Sequence, residues 1–136
     1  MEIFITNDDG WGAKGILTIV RIMSELGHVT VVAPDGARSG MSNAITVAQP
    51  IYIRPLNDPN WGTEEWQKNV TVYTTNGTPS DCVKLAIDVV CEGDSSKIDL
   101  LVSGINHGSN AGINVIYSGT MGACFVGAEH GIPSIG

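Results

Sequence analysis

Residues 3–10 read Ile3-Phe4-Ile5-Thr6-Asn7-Asp8-Asp9-Gly10. A short apolar run gives way at once to a polar turn carrying two adjacent carboxylates. The run is too short for a helix and suits a strand buried in a parallel sheet. Beyond the turn, Ile16, Leu17, Ile19, Val20, Ile22, Met23 and Leu26 recur at helical spacing, which predicts an amphipathic helix over Lys14–Leu26. Gly27 then stands at its C′ position. His28 to Ala33 is apolar and β-branched, and Pro34 stops it. Strand, helix, strand makes one β-α-β unit, whose crossover is right-handed.

The rest of the chain extends the pattern. Val70 to Thr75 and Asp99 to Ser103 read as further strands, and Ala44–Val47 and Ile51–Arg54 as two short strand-like pieces around Pro50. Pro55 to Asn69 has no periodicity and reads as a surface excursion. Thr78-Pro79-Ser80-Asp81 predicts a helix start with Thr78 as N-cap, Pro79 at N1 and Asp81 closing a capping box. That helix runs to Val90 or Cys91. Gly104 to Gly119 is a long Gly/Asn/Ser loop, Thr120 to His130 a helix, and Ile132 to Gly136 the start of a strand. Alternating strands and helices predict one domain of the α/β class, with a Rossmann-like, doubly wound, mainly parallel sheet in three α/β/α layers.

Composition narrows the functions. The chain has 136 residues, 43% of them hydrophobic and 15% charged, with a formal net charge of −7. That excludes disorder driven by charge. An acidic surface repels phosphate backbones, so neither a nucleic-acid polymer nor an anionic membrane is expected as partner. No run approaches the roughly 18 apolar residues of a membrane helix, and no signal peptide is visible. Cys82, Cys91 and Cys124 are odd in number and lack CxxC spacing. They read as buried free thiols in a reducing cytoplasm.

In doubly wound sheets, ligands bind outside the carboxyl ends of the strands. The residues that follow the strands are therefore the candidates: Asn7, Asp8, Asp9 and Gly10; Arg38, Ser39, Gly40 and Asn43; Asn76, Gly77 and Thr78; Ser103, Gly104, Asn106 and Gly108. All four loops are small, polar and rich in oxygen. Adjacent carboxylates repel unless a cation or hydrogen bonds compensate. Oxygen donors without thiolates suit a hard ion, Mg2+ or Mn2+. Asp8-Asp9-Gly10 is thus either such a site or a polar turn. Tyr117-Ser118-Gly119-Thr120 opens the last helix, as an anion pocket or an ordinary N-cap. His107 is a loop residue or a ligand. His28 and His130, at element ends, carry no chemistry. Trp11 either stacks a flat ligand or covers the core.

Together these pieces resemble the SurE survival-protein family of 5′-nucleotidases, also called acid phosphatases. The resemblance rests on Thr6-Asn7-Asp8-Asp9-Gly10; on Val32-Ala33-Pro34-Asp35 with Arg38-Ser39-Gly40 and Ala44-Ile45-Thr46; on Asn76 through Val83; and on Ser103 through Gly108 with Tyr117-Ser118-Gly119-Thr120. It implies one divalent metal ion, Mg2+ or Mn2+, held by Asp8, Asp9, Ser39 and Asn106, with Asp8 and Asp9 catalytic. It implies a phosphate and substrate pocket of Asn7, Gly40, Asn43, Ser103, Gly104, Ser118, Gly119 and Thr120. The implied reaction is hydrolysis of nucleoside monophosphates to nucleoside and phosphate. Residues 1–136 would form the nucleotidase core without the family's C-terminal dimerisation segment, full-length members being homo-dimers or tetramers. Where the family often carries acidic residues, Ile113 and Asn114 stand here.

Two rivals lack their residues. A phosphoacceptor receiver domain needs an Asp after a central strand and a Lys at a later strand end, where Thr75-Asn76 and Ser103-Gly104 occur. A DxD-type phosphatase needs its acids one residue apart. The remaining alternative is a non-catalytic nucleotide- or metal-binding core.

Overall fold

The computed structural model describes residues 1–58, 61 and 65–136. Six strands form one sheet: β1 (Glu2–Thr6), β2 (His28–Pro34), β3 (Ile53–Pro55), β4 (Val70–Thr75), β5 (Leu100–Ser103) and β6 (Ser134–Ile135). Their order across the sheet is β3-β4-β2-β1-β5-β6. All neighbours are parallel except β3, which runs antiparallel to β4 at one edge. The helices are α1 (Lys14–Met23), α2 (Pro79–Leu85, continued as a π-helical turn over Ala86–Val90) and α3 (Gly119–Glu129).

Strand alternation divides the core into two layers. Ile3 and Ile5 of β1 point to one face, where Ile16 and Val20 of α1 and the buried Trp61 meet them. Phe4 points to the other, against Cys82, Val83 and Ala86 of the α2 segment and Ala123 and Val126 of α3. The predicted three-layer α/β/α architecture is therefore present. β1 lies between β2 and β5, so the winding reverses direction beside it. The crevice at such a reversal is where this class of sheet receives ligands, and Asp8 and Gly104 stand on its two sides.

Several local expectations need correction. Residues 44–47 form no strand. The Thr46 N–H donates to Asp81 Oδ1 (3.0 Å), and the Ala44 carbonyl accepts from Thr78 Oγ1 (2.6 Å). The segment's hydrogen bonds thus go to the start of α2 instead of a sheet neighbour. α1 ends at Met23, four residues before Gly27. Gly27 does not take a left-handed cap. A side chain there would run into the Met1 carbonyl, so close packing explains the glycine. The excursion from Pro55 to Asn69 is not all surface, because Trp61 is buried and Glu65–Asn69 is a 3-10 helix. Residues 59, 60 and 62–64 of that excursion lie outside the described residues. The loop from Gly104 to Gly119 contains a 3-10 turn over Gly112–Ile116. Cys82 and Cys124 are buried, but Cys91 is only half-buried.

Candidate active site

The turn after β1 sets the site. Asn7 is fully buried. Its amide donates to the Gly10 carbonyl (2.9 Å) and accepts from the Gly10 N–H (3.2 Å). Gly10 sits at φ 95°, a region L side chains rarely adopt. Asn7 thus builds the turn through both polar atoms of its side chain. The same bend delivers Asp8 and Asp9 to the crevice.

Asp8 is 4% exposed. The Thr120 hydroxyl donates to its Oδ1 at 3.0 Å, tying β1 to the start of α3 across 112 residues. Burial pushes the Asp8 carboxyl above the usual aspartate range and the neighbouring Asp9 adds to that, while the Thr120 bond works the other way. Neither Asp8 nor Asp9 has a salt-bridge partner among the described residues.

The other loops converge on this pair. The Arg38 N–H donates to the Asp8 carbonyl (2.6 Å), which brings exposed Ser39 and Gly40 beside it. Arg38's guanidinium is held by Asp35 Oδ1 (2.8 Å) and the Asn76 carbonyl (3.2 Å). Ser42 bonds the Tyr117 and Ile116 carbonyls, placing Asn43 against Gly122 of α3. The Gly104 N–H donates to the Thr6 carbonyl (2.8 Å). Ser103 Oγ is buried with no hydrogen-bond partner among the described residues. Asn106 commits its amide nitrogen to the Gly108 carbonyl and Asn110 Oδ1, both at 3.2 Å. Its Oδ1 takes no part in those bonds and remains a donor for a cation. Asp9 and Asn106 line one cavity of about 380 Å3, and Ser103, Gly104 and Asn106 line another of about 590 Å3. A third, of about 350 Å3, lies at the opposite sheet edge under Phe4, Val90 and Ile98, away from these groups.

Ser118 is the N-cap of α3, its Oγ accepting from the Met121 N–H (3.1 Å). Gly119 is required by close approach: a Cβ there would lie 3.1 Å from Asp8 Cβ and 3.2 Å from Pro79 Cγ. The start of α3 is therefore packed directly against Asp8. Trp11 packs against the α1 side of the core, which favours the covering role over ligand stacking. His107 is exposed in its loop, His28 bonds Glu2 on the surface, and His130 ends α3. Lys14, which in the sequence marks only the start of α1, lines the cavity with Asp9 and Asn106. Its signal was its position five residues after the acidic pair.

Chemically, the site offers two carboxylates, the Ser39 hydroxyl and the Asn106 carbonyl oxygen. Among the described residues no three His, Cys, Asp or Glu side chains converge. A cation here would therefore rest on two carboxylates and neutral oxygens, a hard-ion donor set.

Fold and site together define a doubly wound α/β protein with an acidic, oxygen-lined site at its switch point. Residues 3–136 match the family described as "Survival protein SurE", and the chain belongs to that family. It is similar to the 5′-nucleotidase SurE of Flavobacterium psychrophilum, with 46% identity over 134 residues, covering 98% of this chain and 48% of that one. The 5′-nucleotidase SurE of Porphyromonas gingivalis is 47% identical over 135 residues, covering 99% and 49%. The crystal structure of the SurE protein from Aquifex aeolicus superposes with a TM-score of 0.81 at 35% identity, covering 98% of this chain and 49% of that one. The chain spans about half the length of these relatives. No helix among the described residues is long and apolar enough to cross a membrane.

Proposed function

We propose that this chain carries the site of a metal-dependent phosphomonoesterase that hydrolyses nucleoside monophosphates to nucleoside and phosphate. One observation carries the reading: Asp8 is a buried carboxylate beside a second carboxylate, and no basic side chain among the described residues pairs with it. A buried charge of this kind calls for a cation. The relatives named 5′-nucleotidase SurE support the substrate class.

Asp8, Asp9, Ser39 and Asn106 fit a single Mg2+ or Mn2+, because all four present oxygen and Asn106 is turned with its Oδ1 free of the loop's bonds. When bound, the ion supplies Lewis acidity at a phosphoryl oxygen and lowers the pKa of a water. The chain's own groups do the rest. One of the two carboxylates orients the attacking water. Thr120 fixes Asp8 in place. The first amides of α3 and the hydroxyls of Ser118 and Ser103 face the charge that develops on the phosphoryl oxygens. Gly40, Asn43 and Gly104 wall the pocket without filling it. The three free cysteines support a reducing, cytoplasmic setting.

A substrate panel tests the reading. With Mn2+ present, phosphate release from nucleoside monophosphates and none from phosphodiesters is expected. Cleavage of diesters with no action on monoesters would overturn it.

A further inference from the structure

The chain has seven cations to meet an anionic substrate. Arg38, Lys68 and Lys97 are paired with Asp35, Glu65 and Glu92. Arg54 stacks on the Tyr52 ring, 4.1 Å from its centroid. Arg21 and Lys84 lie in the last turns of α1 and α2, and neither lines the cavities that Asp9, Ser103, Gly104 and Asn106 line. Lys14 remains. It is exposed, begins α1, and has no carboxylate partner among the described residues.

Its place is fixed by packing. A side chain at position 15 would run into the Ile105 carbonyl, so the start of α1 is pressed against the Asn106 loop. Lys14 therefore lines the cavity of about 380 Å3 together with Asp9, Thr18, Asn106 and His107.

The charge arithmetic gives this position a task. One divalent ion only neutralises Asp8 and Asp9. A phosphate monoester arrives as a dianion on a chain of net charge −7. Bringing two further negative charges into the crevice calls for another cation nearby. We infer that Lys14, which shares a cavity with the proposed metal ligands Asp9 and Asn106, reaches the substrate phosphoryl group from the α1 side while α3 meets it from the other, and is a substrate-positioning cation that selects dianionic monoesters over monoanionic diesters. This rests on the phosphomonoesterase reading and assigns its specificity to a particular side chain.

Calorimetric titration with inorganic phosphate in saturating Mg2+ tests it on the native chain, Lys14→Gln and Lys14→Arg. A hydrogen bond between charged groups contributes about 1.5–3 kcal/mol, so Lys14→Gln should weaken phosphate binding about tenfold or more. Lys14→Arg should stay within about threefold. Mg2+ affinity and the thermal midpoint should be unchanged in both. In turnover, Lys14→Gln should raise KM far more than it lowers kcat. Equal phosphate affinity in Lys14→Gln and the native chain overturns the inference and leaves the phosphomonoesterase reading intact. Parallel loss of Mg2+ affinity also overturns it, by giving Lys14 a structural role. Failure of the native chain to bind phosphate at all overturns both.

Discussion

Asp81 is the fastening between α2 and the loop that carries Ser39 and Asn43, and replacing it with Asn measures that fastening. Asp81 is 2% exposed. Its Oδ1 accepts from the Thr46 N–H (3.0 Å); its Oδ2 accepts from the Thr46 hydroxyl (2.7 Å) and the Thr78 N–H (2.9 Å). Asparagine fits the same space but keeps one carbonyl oxygen. If that oxygen takes the Oδ2 place, the new NH2 faces the Thr46 N–H. If it takes the Oδ1 place, the NH2 faces the Thr78 N–H. Either way one backbone donor, buried at Thr78 or part-buried at Thr46, loses its acceptor, and the bonds that remain lose their charge. A lost bond to a charged group costs about 1.5–3 kcal/mol, so the total should be about 2–4 kcal/mol. For a chain of this size that lowers Tm by roughly 10 °C.

The same substitution has a defined pH signature. Burial is the largest influence on the Asp81 carboxyl and works against its charge. The bonds from Thr78 and Thr46 together outweigh it and hold the group below the usual aspartate range. A depressed carboxyl stabilises the fold above the unfolded-state pKa of about 3.9, and that stability is lost as pH falls through the folded value. Urea unfolding of native chain and Asp81→Asn at pH 7 and pH 3 reads both effects. The gap should be wide at pH 7 and narrower at pH 3. Equal midpoints at pH 7, or an undiminished gap at pH 3, would refute the reasoning.

Asp8→Asn has the opposite sign. Burial and Asp9 raise the Asp8 carboxyl, so its ionised form destabilises the metal-free fold at neutral pH. In chelator at pH 7 the variant should melt higher than the native chain, the difference vanishing in acid, while turnover falls at least about 100-fold. Gly119→Ala places a Cβ 3.1 Å from Asp8 Cβ and should cost about 1–3 kcal/mol, seen as a lower urea midpoint with weakened Mn2+ binding. Among the thiols, Cys82 is fully buried, its thiol pushed up to about 12 by burial, and Cys124 to about 11. Mass mapping after brief alkylation at pH 8 should therefore find half-buried Cys91 modified first; modification of Cys82 ahead of it would contradict the packing.

What was legible in the sequence was what is decided locally. β1 and β2 read correctly because strands buried on both faces appear as unbroken apolar runs. The start of α2 was legible because a capping box is complete within four residues, and both of its bonds are present. The acidic pair was legible because two adjacent carboxylates at a strand end are unusual in themselves. The rest depended on distant partners. Residues 44–47 look like a strand, and only Asp81 and Thr78, more than thirty residues on, make them a clamped loop. Asn7 sits in the site's own motif, yet its amide is spent on Gly10. Gly27 stands where a cap would be, but its reason is the Met1 carbonyl just before β1. Lys14 gains meaning only when the Asn106 loop folds against it.

The central claim is that the Asp8–Asp9 turn holds a divalent ion for phosphomonoester hydrolysis. Release of inorganic phosphate from adenosine monophosphate by the native chain, in Mg2+ or Mn2+ and again in excess chelator, tests it most directly. Steady release with metal, abolished by chelator and restored by adding the ion back, is the predicted result. Release that continues undiminished in excess chelator would contradict it.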